Sequence, residues 1–281
     1  MADGSPKGHQ GFQRGHVTEI YGPPGVGKTT IALQLAVNTI HADNDDSVTW
    51  INTGSPLLPR RLKELMTAYQ FPQEEQGFPP HPPPWPCQPR SQKKMIEDKF
   101  ECIEARVLPH LLTLFLHPTQ LFPPPKTALI LVDDMSNLIL GSFPRTSNAK
   151  KPAAAAQQDT LAQKNAGRRF QIVETLAAAM TKLAALKNVA IVVLNNASIS
   201  LKAGQKATLK PALASQAWDA GIHTRIVLYR DFPPVHVANN DGFTLKEQIR
   251  FAQVERLARK DVHVEGVPFI ISTVSGVLPD V

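Results

Sequence analysis

A glycine-rich segment between residues 22 and 29 has the residue types and spacing needed to hold phosphate. It reads Gly-Pro-Pro-Gly-Val-Gly-Lys-Thr and fits the pattern G-x-x-x-x-G-K-[ST]. Glycines let backbone N–H groups turn inward toward phosphate oxygens, and the positive end of a following helix adds to the attraction. The pattern therefore predicts a nucleoside triphosphate site built on the backbone of this loop.

Two side chains at the end of the segment add specific chemistry. Lys28 is expected to reach the β- and γ-phosphates, and the Thr29 hydroxyl is expected to ligate Mg²⁺. A fortuitous glycine-rich turn is the alternative, but the segment lies between a predicted strand and a predicted helix, as a phosphate loop requires. The predicted nucleotide-binding residues of the loop are Gly22, Pro23, Pro24, Gly25, Val26, Gly27, Lys28, Thr29 and Thr30.

Two aspartates follow a continuous apolar run at residues 128–132. Such a run predicts a buried parallel strand, and a carboxylate at its end is well placed to hold the metal beside a phosphate loop. We therefore expect Asp133 to bind Mg²⁺ through water, although a lone strand-terminal aspartate is more often a cap or turn residue. Asp134 is a candidate for activating water, but a solvated turn carboxylate is the simpler interpretation.

The elements around these residues alternate at first between strands and helices and then become successive strands. This order predicts an α/β fold with a mostly parallel central sheet, flanking helices and antiparallel C-terminal strands. The predicted strands lie at residues 17–21, 47–52, 127–134, 189–196, 224–229, 249–256 and 267–274. The predicted helices lie at residues 29–41, 58–69, 93–116 and 168–187, with a break or kink expected at Pro109.

Composition sets the domain plan. The 281 residues are 42% hydrophobic, enough for the core of one domain with insertions. The 25 prolines must lie largely outside helix interiors and central strands, and residues 72–90 are predicted to be an exposed proline-rich insert. The predicted domain organisation is an N-terminal tail at 1–14 and a core domain at 15–281. The core domain carries the proline-rich insert and two mobile loops, at 141–167 and 198–221.

The positive charge is concentrated near those two loops. The formal net charge is +6, whereas residues 144–169 carry +5 and residues 198–212 carry +3. Such segments can bind a phosphate backbone without regard to sequence, or can serve only solubility. With two cysteines the chain has no disulfide framework, which suits a reducing compartment, and it has no apolar run long enough for a membrane span.

Together these motifs resemble the RecA superfamily, and specifically the eukaryotic recombinase family with its paralogues. Residues 15–22, GHVTEIYG, are similar to the family's approach to its phosphate loop, and 127–133 to its metal-binding strand. Shorter likenesses in the same order lie at residues 50–53, 59–62, 189–196, 210–213 and 224–226. The resemblance runs from about Gly15 to the C-terminus and implies a RecA-like P-loop NTPase core that binds ATP and Mg²⁺.

The resemblance also assigns roles to single residues. Arg61 falls where the family places an arginine over the adenine ring, and an exposed helix arginine is an equal alternative. Asn196 falls on the family's glutamine sensor and has a shorter reach. The two basic segments correspond to the family's DNA-binding loops, with predicted contacts from Lys150, Lys151, Arg168, Arg169, Lys202, Lys206 and Lys210.

The chain departs from the family where hydrolysis is concerned. Residues 52–55, Asn-Thr-Gly-Ser, lack the glutamate that polarises the attacking water in active members. Loss of such a base removes a contribution of typically about 10²–10⁴-fold. The resemblance begins close to the first residue of the sequence, so we also expect the family's N-terminal helical domain to be missing. In these respects the chain is similar to the fungal Rad-fifty-five type of paralogue, so we expect ATP binding with weak or absent hydrolysis.

The function implied by the resemblance is that of a nuclear accessory, or mediator, subunit in homologous recombination and double-strand break repair. Its expected partners are another recombinase-family paralogue in a heterodimer, the main recombinase filament and single-stranded DNA. Two alternatives stay open: an active DNA-dependent ATPase that exchanges strands, and a P-loop protein-interaction module without a DNA role. The missing glutamate argues against the first, and the basic loops argue mildly against the second.

Overall fold

A computed structural model describes residues 12–42, 45–57, 59–70, 94, 98–143, 155–201, 204, 208–231, 249–272 and 276–279. The helices are α1 (Lys28–Ala42), α2 (Pro59–Gln70), α3 (Leu108–Leu116), α4 (Met135–Ser142), α5 (Ala155–Lys187) and α6 (Gln216–Gly221). The strands are β1 (Val17–Gly22), β2 (Ser47–Asn52), β3 (Phe100–Glu104), β4 (Thr127–Asp133), β5 (Ala190–Ser200), β6 (Thr208–Pro211), β7 (Thr224–Asp231), β8 (Ile249–Leu257), β9 (Lys260–Asp261), β10 (Val267–Ser272) and β11 (Gly276–Pro279).

These strands form a sheet in the order β11-β10-β8-β7-β1-β5-β4-β2-β3, with β6 paired to β5 and β9 to β8. The pairs from β7 through β3 are parallel, whereas β8, β10 and β11 are antiparallel to their neighbours. The predicted α/β class, with a mostly parallel sheet and antiparallel C-terminal strands, is confirmed. Because parallel strands share a direction, the carboxyl ends of β1, β4 and β5 meet at one edge.

Two hydrophobic clusters cover the two faces of this sheet. Along β5, Ala190, Val192 and Leu194 pack under α1 and α2, while Ile191 and Val193 pack under α3, α4 and α5. The alternation follows from the period of two in a strand, and burial on both faces explains why β4 and β5 are continuous apolar runs. The central strands are thereby held rigidly between two layers of helices.

A buried polar cluster fixes β1 within the sheet. The Glu19 side chain is fully buried and accepts hydrogen bonds from Asn195 Nδ2 at 2.7 Å, Trp218 Nε1 at 3.0 Å and Arg225 Nε at 2.7 Å. Burial raises the pKa of Glu19, and the charge of Arg225 opposes that rise. A buried carboxylate needs such partners, so the cluster ties β1 to β5, α6 and β7.

The structure corrects the predicted helix at 93–116. Residues 94, 98 and 99 are helical, but residues 100–104 form β3, which pairs in parallel with β2, and a separate helix begins at Leu108. Pro109 lies in the first turn of α3, where its missing N–H costs nothing, so it starts the helix rather than kinking it. The backbone pairing available along β2 outweighed the apparent helical spacing of the segment.

The two predicted mobile loops lie partly outside the described residues, at 144–154, 202–203 and 205–207, and the described parts contain regular structure. The α5 helix begins at Ala155, so 155–167 are helical; this stretch is rich in alanine and glutamine, which favour helix even without an apolar stripe. In 198–221, β5 continues to Ser200 and pairs with β6, and Ser215 caps α6 by accepting from Trp218 N at 3.1 Å.

Some of the predictions fall on parts of the chain that the structure does not describe. The proline-rich insert at 72–90 and most of the tail at 1–14 lie outside the described residues, as do Lys150, Lys151, Lys202 and Lys206. No helix in the described ranges has both the length and the apolarity to cross a membrane.

Candidate nucleotide site

The phosphate loop joins the end of β1 at Gly22 to the start of α1 at Lys28. A Cβ on Gly22 would lie 2.3 Å from the Leu228 carbonyl oxygen, so a larger residue cannot fit. Gly25 and Gly27 have φ of 75° and 114°, in the left-handed region that favours glycine. The turn of the loop therefore requires glycine at these three positions. The unpaired amides in the first turn of α1 are then available to a phosphate in the loop.

The Lys28 ammonium group lies across the loop. Its Nζ donates to Gly22 O at 2.7 Å, to Pro23 O at 3.0 Å and to Asn196 Oδ1 at 3.1 Å. Burial lowers the pKa of Lys28, and the carboxylates of Asp134 and Asp133 oppose that effect. A phosphate could replace these neutral acceptors with charged ones, which form stronger hydrogen bonds.

Thr29 and Asp133, the two residues predicted to hold metal, come together from different elements. Thr29 Oγ1 donates to Asp133 Oδ2 at 3.3 Å, which joins the first turn of α1 to the end of β4. Burial raises the pKa of Asp133 to about 6, although the Thr29 hydrogen bond lowers it. Hydroxyl and carboxylate oxygens are ligands that Mg²⁺ prefers, so this donor set fits the ion.

Asp134 adopts an unusual backbone conformation, with φ 67° just before α4. Its Oδ1 accepts from Asn196 Nδ2 at 3.2 Å and its Oδ2 accepts from Asn137 Nδ2 at 2.8 Å. A Cβ placed on Gly54 would lie 2.9 Å from Asp134 Oδ2. The carboxylate thus lies against residues 52–55, the segment in which the sequence lacks a glutamate.

Asn196 connects the loop to this carboxylate. Its side-chain amide accepts from Lys28 and donates to Asp134, while its backbone N–H donates to Ser136 Oγ at 2.8 Å. The short amide therefore reaches the lysine in this arrangement. Because Asn196 lies on β5 just before the hairpin with β6, it also joins the phosphate loop to the region of the predicted second DNA-binding loop.

Residues 52–55 are held by other contacts. Asn52 Nδ2 donates to both carboxylate oxygens of Glu104, at 3.1 and 3.2 Å, and Thr53 Oγ1 donates to Asp133 O at 2.6 Å. Hydrogen bonds from Arg106 and then from Asn52 lower the pKa of Glu104. Glu104 was not found from the sequence, since its segment was predicted to be helical. It lies on β3, two strands beyond β4, so its backbone is about 10 Å from that of Asp133. Its carboxylate is taken up by hydrogen bonds from Asn52 and Arg106.

Arg61 lies on α2, on the same side of the sheet as α1, and donates to Glu64 Oε2 at 3.2 Å. A place for Arg61 over an adenine ring stays a prediction.

Three of the seven predicted DNA contacts lie in the described residues, and a cleft lies beside one of them. Arg168 and Arg169 are on α5, and Lys210 is exposed on β6. Arg169 and Phe170 line a cleft of about 400 Å³ whose opposite wall includes Asn196 and Leu213. Phe170 is 48% exposed, and the Arg169 guanidinium carbon lies 5.6 Å from its ring centroid.

Phe170 was not among the predicted DNA contacts, which were the basic residues in and beside the two loops. The signal that could have found it is the helical stripe of Ile172, Leu176 and Leu183, which leaves Phe170 outside the core-facing side of α5.

Comparisons with known proteins find relatives among DNA repair proteins, while no protein-family model matches the chain. The chain is 37% identical over 59 residues to DNA repair protein rhp55 of Schizosaccharomyces pombe, which is 21% of this chain and 16% of that protein. It is 27% identical over 134 residues to DNA repair protein RAD55 of Saccharomyces cerevisiae, or 46% of this chain and 27% of that protein. The match to DNA repair and recombination protein RadB of Methanocaldococcus jannaschii is 43% over 53 residues, 19% of this chain and 24% of that protein.

The homologues of this chain are RecA-family recombinase paralogues. The predicted resemblance to the Rad-fifty-five type is thereby confirmed at modest identity. The matches span between 16% and 27% of the length of these three relatives.

The raised pKa of Asp133 gives a prediction about pH. Protons and Mg²⁺ compete for the carboxylate, so a pKa of about 6 means that affinity falls as pH drops through that value. Between pH 7.5 and 5.5 the ionised fraction of Asp133 falls about fourfold, and Mg²⁺-dependent nucleotide binding should weaken by at least that factor. Titration calorimetry with Mg²⁺ and a slowly hydrolysed ATP analogue measures it.

The Asp133→Asn variant is the matched control, because the nucleotide's own phosphate also protonates in this range. Its binding should be weaker at pH 7.5 and should change less with pH. An unchanged pH dependence in Asp133→Asn would contradict the role given to this carboxylate.

Proposed function

We propose that this chain is an ATP-binding recombinase paralogue that acts as an accessory, or mediator, subunit in homologous recombination and DNA double-strand break repair. The observation that carries the proposal is the convergence of Lys28, Thr29, Asp133 and Asn196 at the carboxyl edge of a RecA-like sheet. The naming of its relatives as DNA repair and recombination proteins supports the biological setting.

Within this proposal, the loop amides and Lys28 bind the phosphates, and Thr29 with Asp133 holds Mg²⁺. The metal, when bound, neutralises part of the triphosphate charge. Lys28 is released from Gly22 and Pro23 carbonyls as it turns to phosphate. Since Asn196 also accepts from Lys28, that movement changes the contacts of the amide between the nucleotide and the β5–β6 hairpin.

In this proposal hydrolysis is slow because the residues beside the expected position of the attacking water are hydrogen-bonded to other protein groups. Thr53 donates to the Asp133 carbonyl, and Asn52 donates to Glu104. Asp134 is the candidate to orient water, yet each of its oxygens already accepts an amide hydrogen bond. These two bonds fix the orientation of the carboxylate and occupy one lone pair on each of its oxygens.

Single-stranded DNA is the proposed nucleic-acid partner, bound without regard to sequence. Arg168, Arg169 and Lys210 support this among the described residues, and the lysines at 150, 151, 202 and 206 complete the proposed contacts. Phe170 adds an exposed ring on which a base can stack, beside a guanidinium group that can bind phosphate. The cleft between Phe170 and Asn196 would bring DNA close to the nucleotide site.

The proposed protein partners are another recombinase-family paralogue, in a heterodimer, and the main recombinase filament, with the nucleus as the site of action. An active strand-exchange recombinase and a P-loop interaction module without a DNA role are the competing functions. Each is an outcome of the experiments that follow.

The first experiment measures nucleotide binding and turnover. The purified chain should bind ATP with Mg²⁺ but hydrolyse it at least about 10²-fold more slowly than an active recombinase in the same assay, because the base is missing. Lys28→Ala should weaken binding by about tenfold or more through loss of charge-assisted hydrogen bonds. Exposed Lys63→Ala on α2 is the control, and a turnover rate equal to that of the active enzyme would favour the competing recombinase function.

The second experiment tests DNA binding. Phe170→Ala should weaken the binding of a fluorescent oligothymidylate by about 1–3 kcal/mol, the usual value of one stacked base. Leu186→Ala is the matched control, since Leu186 is 72% exposed on the same helix but does not line the cleft. Equal affinities of the two variants would remove Phe170 from the DNA site.

The third experiment identifies partners by affinity purification of the tagged chain from the cells that make it, followed by mass spectrometry. Recovery of another recombinase-family subunit is the expected result. A reproducible complex that contains neither recombination proteins nor DNA would overturn the proposed function and support the interaction module.

A further inference from the structure

Two arginines lie opposite each other beside the phosphate loop, and the nucleotide site described above does not use them. Arg230 is near the end of β7 and Arg250 is near the start of β8, and the antiparallel register places them directly opposite each other. Directly opposed residues point to the same face, with Cβ atoms about 4.5–5.5 Å apart. The two guanidinium groups are therefore neighbours on one face of the sheet.

That face is the one that carries the phosphate loop and α1. The next pair on the same face of these strands is Leu228 with Ala252, and Arg250 is also in register with Phe269 on β10. Leu228 and Phe269 are buried in the hydrophobic cluster under α1. Tyr229 and Phe251 alternate with the arginines and stack on the reverse face, with ring centroids 5.4 Å apart.

A direct hydrogen bond joins the pair to the loop. Arg230 Nη2 donates to Gly25 O at 2.8 Å, on the outer side of the loop. The ring of Phe269 lies near Gly27, where a Cβ would come within 3.8 Å of its Cε2. Arg230, Arg250 and Phe269 thus form a row across three strands that adjoins the outer rim of the phosphate loop.

The charges of this row are not offset within the described part of the chain. The ion pairs between described residues include neither Arg230 nor Arg250. Arg250 Nε is buried and has no hydrogen-bond partner. Burial, together with the charge of Arg230, lowers the pKa of Arg250. Like charges directly opposed across a strand pair are destabilising, so the arrangement needs a compensating anion.

We propose that Arg230 and Arg250 form a second phosphate-binding subsite on the outer rim of the phosphate loop. The planar guanidinium fork matches phosphate oxygens, and two adjacent forks can grip one group bidentately. Each guanidinium has five N–H donors, so Arg230 can hold Gly25 O and a phosphate together. The subsite does not depend on the recombination role, because its geometry stands whether or not the chain acts in repair.

The phosphate can come from two sources, a nucleic-acid backbone or a free polyphosphate such as that of a second nucleotide. The chemistry recognised is the same in both cases. A phosphate bound at the loop rim is energetically coupled to a nucleotide in the phosphate loop, because Arg230 contacts the loop backbone directly. Binding at either site then changes affinity at the other by an equal factor.

The experiment uses the full chain with Arg250→Gln alone and with Arg230→Gln and Arg250→Gln combined. The matched control is Lys182→Gln with Lys187→Gln, which removes the same charge from two exposed positions at the end of α5. One arm titrates a fluorescent oligothymidylate at several salt concentrations. The other titrates inorganic tripolyphosphate in a Lys28→Ala background, which weakens binding at the phosphate loop itself.

A nucleic-acid source predicts that the double arginine variant loses about 1.4 from the slope of log affinity against log salt, the value for two single-strand phosphate contacts, while the lysine control keeps its slope. A polyphosphate source predicts at least a tenfold loss of tripolyphosphate affinity in the same variant. Unchanged binding in both arms, or losses equal to those of the control, overturns the proposal.

The Arg250→Gln variant distinguishes a phosphate-binding subsite from a purely structural contact with the phosphate loop. The hydrogen bond to Gly25 O comes from Arg230, so this variant leaves that contact in place. It should unfold at no lower temperature than the parent chain without anions, since it removes an uncompensated charge. Tripolyphosphate should then raise the unfolding temperature of the parent chain more than that of Arg250→Gln. Equal shifts in the two proteins would contradict the subsite, and a lower unfolding temperature without anions would mean that Arg250 is compensated internally.

Discussion

The buried ion pair between Glu19 and Arg225 is the interaction on which the rest of the site depends. Glu19 lies in the middle of β1, three residues before Gly22, and is completely shielded from water. Removing one partner of such a pair leaves an uncompensated buried charge, at a cost of about 3–5 kcal/mol. Because β1 lies between β5 and β7, the cluster around Glu19 fixes the strand that carries the phosphate loop between the strands that supply Asn196 and Arg230.

Charge is then distributed along the carboxyl edge of the sheet in a definite order. Arg250 and Arg230 lie on one side of the phosphate loop, and Asp133 and Glu104 lie on the other. Lys28 stands between them and shares the Asn196 amide with Asp134. A triphosphate bound here would therefore have cationic groups on its outer side and the Asp133 carboxylate, which is proposed to hold the metal, on its inner side. The nucleotide site therefore lies between β1 and β4, and the proposed outer phosphate subsite lies on β7 and β8, on the other side of the loop.

The local parts of this arrangement could be predicted, and the non-local parts could not. The loop and the strand before Asp133 were found because a glycine spacing and an apolar run are properties of neighbouring residues. The strand β3 was missed because it exists only through pairing with β2, and its own residues are half exposed. The predicted helix at 168–187 starts later than α5 because the apolar stripe begins only there, whereas alanine-rich residues 155–167 favour helix without a stripe.

The sequence by itself determined the fold class, the phosphate loop and the absence of a carboxylate from residues 52–55, since each depends on residue types at fixed spacing. Tertiary structure alone decided that Asp134 lies against Gly54, that Phe170 faces the cleft beside Asn196, and that two arginines 20 residues apart are neighbours. The physical reason is that strand register and helix packing bring together residues far apart in the chain. Backbone hydrogen bonds set that register, and no local pattern encodes which strands they join.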